Sequence, residues 1–441
     1  MFILHLSCIL SKGYAVSFTN WLRKKKDDEQ GGRTSRGGYV PGRTVTLTWE
    51  HEPTLYAPAK YRRACRYDAY IPDPLSQLDF SLPAHAVGVV SEAEAAIRSL
   101  NESARPALAP LARLLLKSES IASSKIEGMQ LGARELAHAE ARMETGQRAS
   151  PTAREVMANI DAMELAVHEA AAVERFTVEE IRSIHRRLME RSGNPGIAGQ
   201  VRTGQNWIGG NDYNPCGADF VPPPPEHVAP LLEDLCAVIE DDRLSPLVQA
   251  ALVHAQFETI HPFDDGNGRT GRALIHVVLR RRGLAPAYVP PISVVLARAR
   301  SRYIDGLTRF RAGETGAWIE HFAAAAASAA ELASAYLRAV RGLGERWRAQ
   351  VRELAAPRAD AAVWAVIDVL PAHPLITAPV AAAATGRSRP AIYQALEQLQ
   401  AAGVLLPLSE SRRNQVWEAA GLLDLLVGLE AGALPGAAGR S

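Results

Sequence analysis

Apolar residues recur at helical spacing along most of this chain. From Ser91 onward, long stretches rich in Ala, Leu, Glu and Arg repeat apolar side chains every three or four residues, whereas strand-like alternation is scarce. A chain of 441 residues is long enough for about three domains. The sequence therefore predicts a mainly α protein.

The charge balance excludes partner recruitment by the field of the whole molecule. Lys and Arg number 49 against 48 Asp and Glu, which leaves a formal charge of +1. Such a charge attracts neither nucleic acid nor an anionic membrane over a distance. Any anion must therefore be bound at a local site.

The cysteines give no sign of a metal site or a disulfide framework. They form no CxxC pair and no close cluster with histidine, and their positions are Cys8, Cys65, Cys216 and Cys236. We therefore expect a protein of the reducing cytoplasm.

The N-terminal segment is not expected to enter a membrane. The first ten residues are apolar, but the run is too short to span a bilayer and lacks the basic stretch that precedes a signal peptide core. The sequence then turns basic and glycine-rich, and residues 1–50 are predicted to form a flexible extension or to lie upstream of the native start.

Two helix starts stand out in the middle of the chain. Thr177 begins a capping box, and Ser245 with Pro246 begins a helix that runs to His261. Between these helices, residues 201–225 are rich in Gly, Asn and Pro and predict a β-hairpin with strands near positions 207 and 220.

The segment HPFDDGNGRTGR, residues 261–272, carries the chemistry. One helix ends, a loop of small and acidic residues follows, and a second helix opens at Arg269 and runs to Gly283. Glycines let backbone N–H groups converge on one point, and the helix dipole adds positive charge there. The pattern predicts an anion-binding site.

The charged side chains of this segment indicate a phosphate site. Arg269 and Arg272 share one face of the helix, and two cations in a helix N-terminus are unfavourable without a bound anion. Asp265 is a hard oxygen ligand suited to Mg²⁺. His261 can act as an unprotonated base, and Phe263 is expected to anchor the loop in the core.

The same segment resembles the signature of the Fic family, HPFx[D/E]GNGRxxR, at every specified position. The resemblance implies a helical core that binds ATP with Mg²⁺ and transfers AMP to a Ser, Thr or Tyr hydroxyl of a target protein. It implies that His261 deprotonates the hydroxyl and that Asp265 holds Mg²⁺. The catalytic residues would be His261, Asp265, Asn267, Arg269 and Arg272, and the nucleotide would bind Phe263, Gly266, Asn267, Gly268, Arg269 and Arg272.

A second segment, SSKIEG, resembles the inhibitory motif of the family, [S/T]xxxE[G/N], through Ser123, Glu127 and Gly128. In the family the glutamate pairs with the second motif arginine, here Arg272. The resemblance implies autoinhibition by Glu127, because an arginine fork that holds a carboxylate cannot also hold phosphate.

The predicted hairpin is similar to the family's flap, which offers a strand edge to the target protein. Asn206, Trp207 and Ile208 would be the docking strand, and residues 219–221 its partner. Further along, packing rather than catalysis is expected of four residues: Tyr303, Leu307, Trp318 and Phe322.

The C-terminal unit resembles a winged helix-turn-helix. Helices are predicted over residues 361–370, 379–384 and 390–403, followed by two strands and a wing. Arg387, Ser388, Arg389 and Tyr393 would face a groove. Five arginines against six acids between positions 358 and 424 do not make a DNA-binding footprint, so DNA, a protein partner and a homodimer contact all stay open.

The expected organisation has five parts. They are the extension at 1–50, a helical region with the inhibitory helix at 51–170, a Fic core at 171–345, the winged helix at 346–431 and a tail at 432–441. Besides AMP transfer to a target protein, the same core could remove AMP from a modified protein, use another nucleotide donor, or serve a DNA-binding regulator as a nucleotide sensor.

Overall fold

The computed structural model describes residues 42–54, 56–102, 109–144, 146, 148–408 and 415–433, without the side chains at 109, 110 and 144. Most of the predicted extension, the tip of the predicted wing and nearly all of the predicted tail lie outside these residues. Within them, the chain is mainly helical, as predicted.

Fifteen helices and five strands are described. The helices are α1 (Ala84–Glu102), α2 (Ala109–Ile126), α3 (Ala133–Glu144), α4 (Pro151–His168), α5 (Val178–Met189), α6 (Val228–Glu240), α7 (Pro246–Ile260), α8 (Asn267–Arg281), α9 (Ile292–Arg298), α10 (Arg300–Arg311), α11 (Thr315–Leu354), α12 (Ala362–Val369), α13 (Ala378–Thr385), α14 (Arg389–Ala401) and α15 (Leu422–Ala431). The strands are β1 (Gly42–Trp49), β2 (Cys65–Pro72), β3 (Leu375–Thr377), β4 (Leu405–Pro407) and β5 (Val416–Ala419).

Helices α7 and α8 form the centre of the molecule. Every residue of α7 from Leu247 to Ile260 is buried, as expected of a helix that packs on all sides. Helix α8 packs against α7 and against α2, α4 and α5. The segment with the predicted anion site therefore lies between two helices that pack in the centre of the molecule.

The helix starts follow the sequence closely. The capping box at Thr177 is present, with its backbone N–H donating to Glu180 at 2.6 Å. Helix α7 begins with Ser245 as its cap residue, but the serine hydroxyl makes no capping bond. A carboxylate oxygen of Glu94, on α1, instead accepts the N–H of Leu247 at 3.1 Å.

The long helix α11 closes the core and continues toward the C-terminal elements. The indole N–H of Trp318 donates to the carbonyl of Ala251 on α7 at 2.9 Å. The four residues predicted to pack are buried, with exposed fractions of 3% for Tyr303, 8% for Leu307 and 0% for Trp318 and Phe322. The prediction that they contribute to packing is confirmed.

The boundary predicted for the flexible extension is wrong at its C-terminal end. Residues 42–49 form β1, which pairs antiparallel with β2 along its whole length. Val45, Leu47 and Trp49 are half-buried and alternate with exposed threonines. This alternation is typical of a strand with one face packed against the protein. The prediction missed the strand because the residues before it are basic and glycine-rich.

The C-terminal elements pack on the rest of the chain. The three predicted helices correspond to α12, α13 and α14, and β3 and α15 were not predicted. Strands β3, β5 and β4 form one antiparallel sheet in that order. Lys125 on α2 pairs with Glu430 on α15 at 2.7 Å, and Arg134 on α3 pairs with Asp424 at 2.7 Å. The assignment as a winged helix-turn-helix, and the other domain boundaries, stay predictions.

The expectation of unpaired cysteines is wrong. Cys65 on β2 and Cys216 form a disulfide with a Cα–Cα distance of 6.3 Å, whereas Cys236 is a buried free thiol. The two positions are 151 residues apart, so only the tertiary fold brings them together. The cytoplasmic location, which rested on unpaired cysteines, stays a prediction. In the described part of the chain, no helix is long and apolar enough to cross a membrane.

Loss of this disulfide is expected to destabilise the fold. Because the bond closes a loop of 151 residues, Cys65→Ser should lower the free energy of unfolding by about 5 kcal/mol. Urea denaturation with and without dithiothreitol measures the effect. The reductant should destabilise the wild type and leave Cys65→Ser unchanged, and a wild type that does not respond to reductant would contradict the disulfide.

Candidate active site

Two left-handed residues shape the loop between α7 and α8. His261 ends α7 with φ 49° and ψ 60°, and it is the one non-glycine residue with positive φ in the described chain. Gly266, with φ 78°, precedes the first residue of α8. Helix α8 therefore begins at Asn267, two residues earlier than predicted. A non-glycine residue in this region costs free energy, and such strain is typical of functional loops.

The loop is closed by its own side chains. The Asn267 amide donates to the carbonyl of Phe263 at 2.8 Å and accepts the Phe263 N–H at 2.9 Å. The Phe263 ring is fully buried, as predicted for an anchor. These bonds join the Asn267 side chain to the Phe263 backbone, and the predicted roles of both residues at the nucleotide stay predictions.

Glu127 lies over the first turn of α8. A Cβ atom placed on Gly268 would collide with Oε1 of Glu127 and would approach Nη1 of Arg272 to 3.0 Å. The same Oε1 accepts a hydrogen bond from Nη2 of Arg272 at 2.6 Å. The structure thus brings together the predicted inhibitory glutamate, the predicted anion cradle and the second motif arginine.

Ser123 completes the surroundings of the buried Arg272 guanidinium, which is 1% exposed. Its hydroxyl accepts the Arg272 Nε–H at 2.8 Å, and its carbonyl accepts from Nη2 at 2.9 Å. The carboxylate thus accepts one hydrogen bond from the guanidinium, through Nη2. Gly128, at φ 90°, follows directly and lets α2 end with Glu127 projecting into the site.

Electrostatics stabilise the ionised pair. Burial alone would raise the pKa of Glu127, but the charge and hydrogen bond of Arg272 hold this pKa below its usual range. Burial likewise opposes the charged form of Arg272, and the neighbouring Glu127 charge outweighs it and raises the pKa of the guanidinium. The Glu127 side chain is 32% exposed, so the pair meets solvent only from the carboxylate side.

His261 is neutral at physiological pH. Burial, with a contribution from the nearby charge of Arg202, lowers the pKa of its imidazole to about 4. Its backbone carbonyl accepts hydrogen bonds from Arg202 Nε at 2.9 Å and from the Asn206 amide at 3.2 Å. A neutral imidazole on a fixed backbone has the protonation state of a general base.

Asp265 is the motif carboxylate that is predicted to hold a metal. Its Oδ1 accepts the N–H of Gly266 at 2.6 Å and lies 3.6 Å from Nη2 of Arg269, which is buried. The side chain is 39% exposed. No group of three or more metal-ligating residues occurs in the described chain. A single exposed carboxylate fits Mg²⁺ that is otherwise bound by phosphates and water.

The predicted flap is present with shorter strands than expected. Ile208 and Phe220 form one antiparallel bridge, with the Ile208 N–H donating to the Phe220 carbonyl at 2.8 Å. Val221 continues the pairing outward, because its carbonyl accepts the N–H of Tyr70 on β2 at 2.9 Å. The ribbon of β1 and β2 therefore lies beside the flap and supports it.

The three predicted docking residues face different ways. The Asn206 amide donates to the carbonyls of His261 and Phe263 and so fixes the flap to the loop between α7 and α8. The ring of Trp207 packs edge-on against that of Trp49, with the ring centroids 5.8 Å apart. The backbone of Ile208 is already paired with that of Phe220 in the β-bridge. Docking of a target along this edge stays a prediction.

Two family models match parts of the chain. Residues 175–279 match the Fic/DOC family, and residues 87–168 match its N-terminal region, called Fic/DOC family N-terminal. Over these two segments, the chain is similar to the Fic/DOC family. The Fic match includes the catalytic loop, and the N-terminal match includes Glu127.

Several relatives of this chain are named as protein adenylyltransferases. Fic-1 of Caenorhabditis elegans is 32% identical over 26% of this chain and 22% of its own length. The Fic protein of Drosophila erecta is 30% identical over 34% of this chain and 27% of its own length. The chain therefore matches only about a quarter of the length of these curated relatives.

Two solved Fic structures align with the fold. A Fic family protein from Desulfovibrio desulfuricans covers 78% of this chain and 98% of its own, with a TM-score of 0.48 and 21% identity. Fic-1 from Caenorhabditis elegans covers 58% of this chain and 74% of its own, with a TM-score of 0.48 and 20% identity.

Sequence reasoning missed two residues that support the loop between α7 and α8. Arg202 is buried and donates to four backbone carbonyls, those of Gly204, Pro223, Ile260 and His261. It is the one charged residue between positions 193 and 211, which was a usable signal. His185 is fully buried behind the loop, and burial lowers the pKa of its imidazole to about 4. Its place on the apolar face of α5 could have indicated a residue turned toward the core.

Proposed function

We propose that this chain transfers AMP from ATP to a hydroxyl side chain of a target protein and that Glu127 inhibits the transfer. One observation carries the proposal. The Glu127 carboxylate lies over Gly268 and pairs with Arg272, at the first turn of a helix of 15 residues. Its oxygens stand in for those of a phosphate, because a helix N-terminus with buried arginines favours an anion.

The relatives support the same activity. Proteins that are 30–34% identical to parts of this chain are named protein adenylyltransferases. The donor would be ATP, and the acceptor would be a Ser, Thr or Tyr hydroxyl presented along the flap.

The residues of the site fit an in-line transfer. The acceptor oxygen attacks the α-phosphorus, the bond from this phosphorus to the β-phosphate oxygen breaks, and pyrophosphate leaves. The acceptor proton passes to the neutral imidazole of His261, and the backbone groups at Gly268 with Arg269 and Arg272 hold the phosphates that carry the leaving charge. Asp265 would hold Mg²⁺, which neutralises phosphate charge when it is bound.

Inhibition follows from competition for one guanidinium. Arg272 already donates to Glu127 and Ser123, so a terminal phosphate can reach it only by displacing the carboxylate. Because a hydrogen bond to a charged group contributes about 1.5–3 kcal/mol, Glu127 makes productive phosphate placement unfavourable by an amount of that order. ATP can still enter, but its phosphates do not reach the geometry that transfer needs.

The position of the label separates the candidate reactions. The Glu127→Gly protein is incubated with Mg²⁺ and ATP labelled on the α- or the γ-phosphate, and protein-bound label is counted. Transfer of α-label alone supports AMP transfer, whereas γ-label would indicate a kinase. With no label from ATP, the same assay is repeated with other nucleotide donors and with an AMP-modified protein, and release of AMP would indicate the reverse reaction.

A further inference from the structure

His185 lies directly behind the catalytic loop, outside the Fic signature. It belongs to α5, is 0% exposed, and its ring stacks on Phe263 with centroids 3.7 Å apart and an interplanar angle of 1°. Both ring nitrogens have partners. Nδ1 lies 3.0 Å from the N–H of Gly199, and Nε2 lies 2.9 Å from the carbonyl oxygen of Asp265.

These two partners define the tautomer of the ring. The Gly199 backbone N–H can only donate, so Nδ1 of His185 is the acceptor. The ring hydrogen is therefore on Nε2 and is donated to the Asp265 carbonyl. The neutral ring thus satisfies one backbone group on each side and holds the peptide that follows Asp265 in one orientation.

That peptide controls two features of the anion site. Its carbonyl belongs to Asp265, whose carboxylate accepts the N–H of the same peptide unit, on Gly266, at 2.6 Å. Gly266, which has a left-handed backbone, packs closely against α5. A Cβ atom on Gly266 would lie 3.1 Å from Leu188, 3.2 Å from Met189 and 3.3 Å from His185. A rotation of this peptide would turn both the carboxylate and the first N–H groups of α8.

We propose that His185 is a positioning residue that directs the Asp265 carboxylate and the first turn of α8 toward Mg²⁺-bound ATP. This inference rests on the proposed function. His185 does not touch the substrate itself, because its ring is fully buried and both nitrogens are occupied. It acts through the Asp265 carbonyl, which no other residue described here contacts by a hydrogen bond.

Two substitutions separate the ring from its hydrogen bonds. His185→Phe keeps an aromatic ring for Phe263 and removes both hydrogen bonds. His185→Gln places an amide nitrogen where it can still donate to the Asp265 carbonyl. Ile184→Ala, at the neighbouring buried position of α5, is the control for a general loss of packing.

The readout is ATP binding and does not depend on transfer. Calorimetry in a Glu127→Gly, His261→Asn background measures ATP affinity with Mg²⁺ and with EDTA. His185→Phe should weaken binding at least tenfold with Mg²⁺ and by less than threefold with EDTA. His185→Gln and Ile184→Ala should both keep the increase in ATP affinity that Mg²⁺ gives over EDTA.

Hydrogen exchange reports on the loop itself. Without nucleotide, the amides of residues 264–268 should exchange at least tenfold faster in His185→Phe than in His185→Gln. The proposal is overturned if Mg²⁺ still increases the ATP affinity of His185→Phe as it does in the parent. It is also overturned if Ile184→Ala loses this increase as completely as His185→Phe. Failure of AMP transfer in the Glu127→Gly parent would overturn the proposed function instead, because binding and exchange are measured without transfer.

Discussion

Glu127→Gly is expected to raise labelling by α-labelled ATP about ten- to a hundredfold over the wild type. The variant removes the carboxylate that holds Arg272, and the 1.5–3 kcal/mol of a charged hydrogen bond corresponds to roughly that range of rates. Autoradiography of the purified protein, with or without a lysate as the source of targets, measures the effect.

A matched variant controls for the glycine itself. Glu169 is an exposed glutamate at the C-terminal end of α4 and is remote in sequence from both motifs, so Glu169→Gly introduces the same change at another helix end. It should label like the wild type. Equal labelling by Glu127→Gly and Glu169→Gly would contradict the inhibitory role proposed for Glu127.

His261→Asn is expected to lower labelling in the Glu127→Gly background about a hundred- to ten-thousandfold, the usual contribution of a general base. Asparagine suits this position better than alanine, because it tolerates the left-handed backbone that His261 adopts at φ 49°. The fold should therefore persist while the proton acceptor is lost. Single-turnover labelling gives the rate, and thermal unfolding checks the fold.

ATP binding distinguishes a catalytic role from a binding role. The His261→Asn variant should keep the ATP affinity of its parent within about threefold, because the proposed phosphate contacts come from α8 and not from the imidazole. A variant that labels normally would exclude His261 as the base. One that neither labels nor binds ATP would place the residue in nucleotide binding.

The chemistry of the site could be predicted because it is local in sequence. The loop, its glycines and the arginines of α8 lie within 12 consecutive residues, so helix rules and turn rules placed them correctly to within two residues. The contact between Glu127 and Arg272 spans 145 residues and was available only through resemblance to the family. Its geometry, in which one carboxylate oxygen accepts from Nη2 and Ser123 accepts from Nε and Nη2, required the structure.

The supporting contacts could not be predicted because they depend on the tertiary fold. Arg202 and His185 bind backbone carbonyl and N–H groups of distant segments, and such groups leave no trace in the side-chain pattern. The Cys65–Cys216 pairing likewise joins two segments that nothing in the sequence brings together. Strand β1 is different, because its alternation was visible and was outweighed by the composition of the residues before it.

The central claim is that Glu127 inhibits by occupying the arginine that a phosphate needs. The most direct test measures α-label transfer by the wild type, Glu127→Gly, Arg272→Gln and the double variant, with thermal unfolding as a check on each fold. If both residues act at one site, Glu127→Gly raises the rate, Arg272→Gln lowers it, and the double variant is as slow as Arg272→Gln alone. A double variant as fast as Glu127→Gly would contradict the account, because the inhibition would then be relieved without the arginine it is said to free.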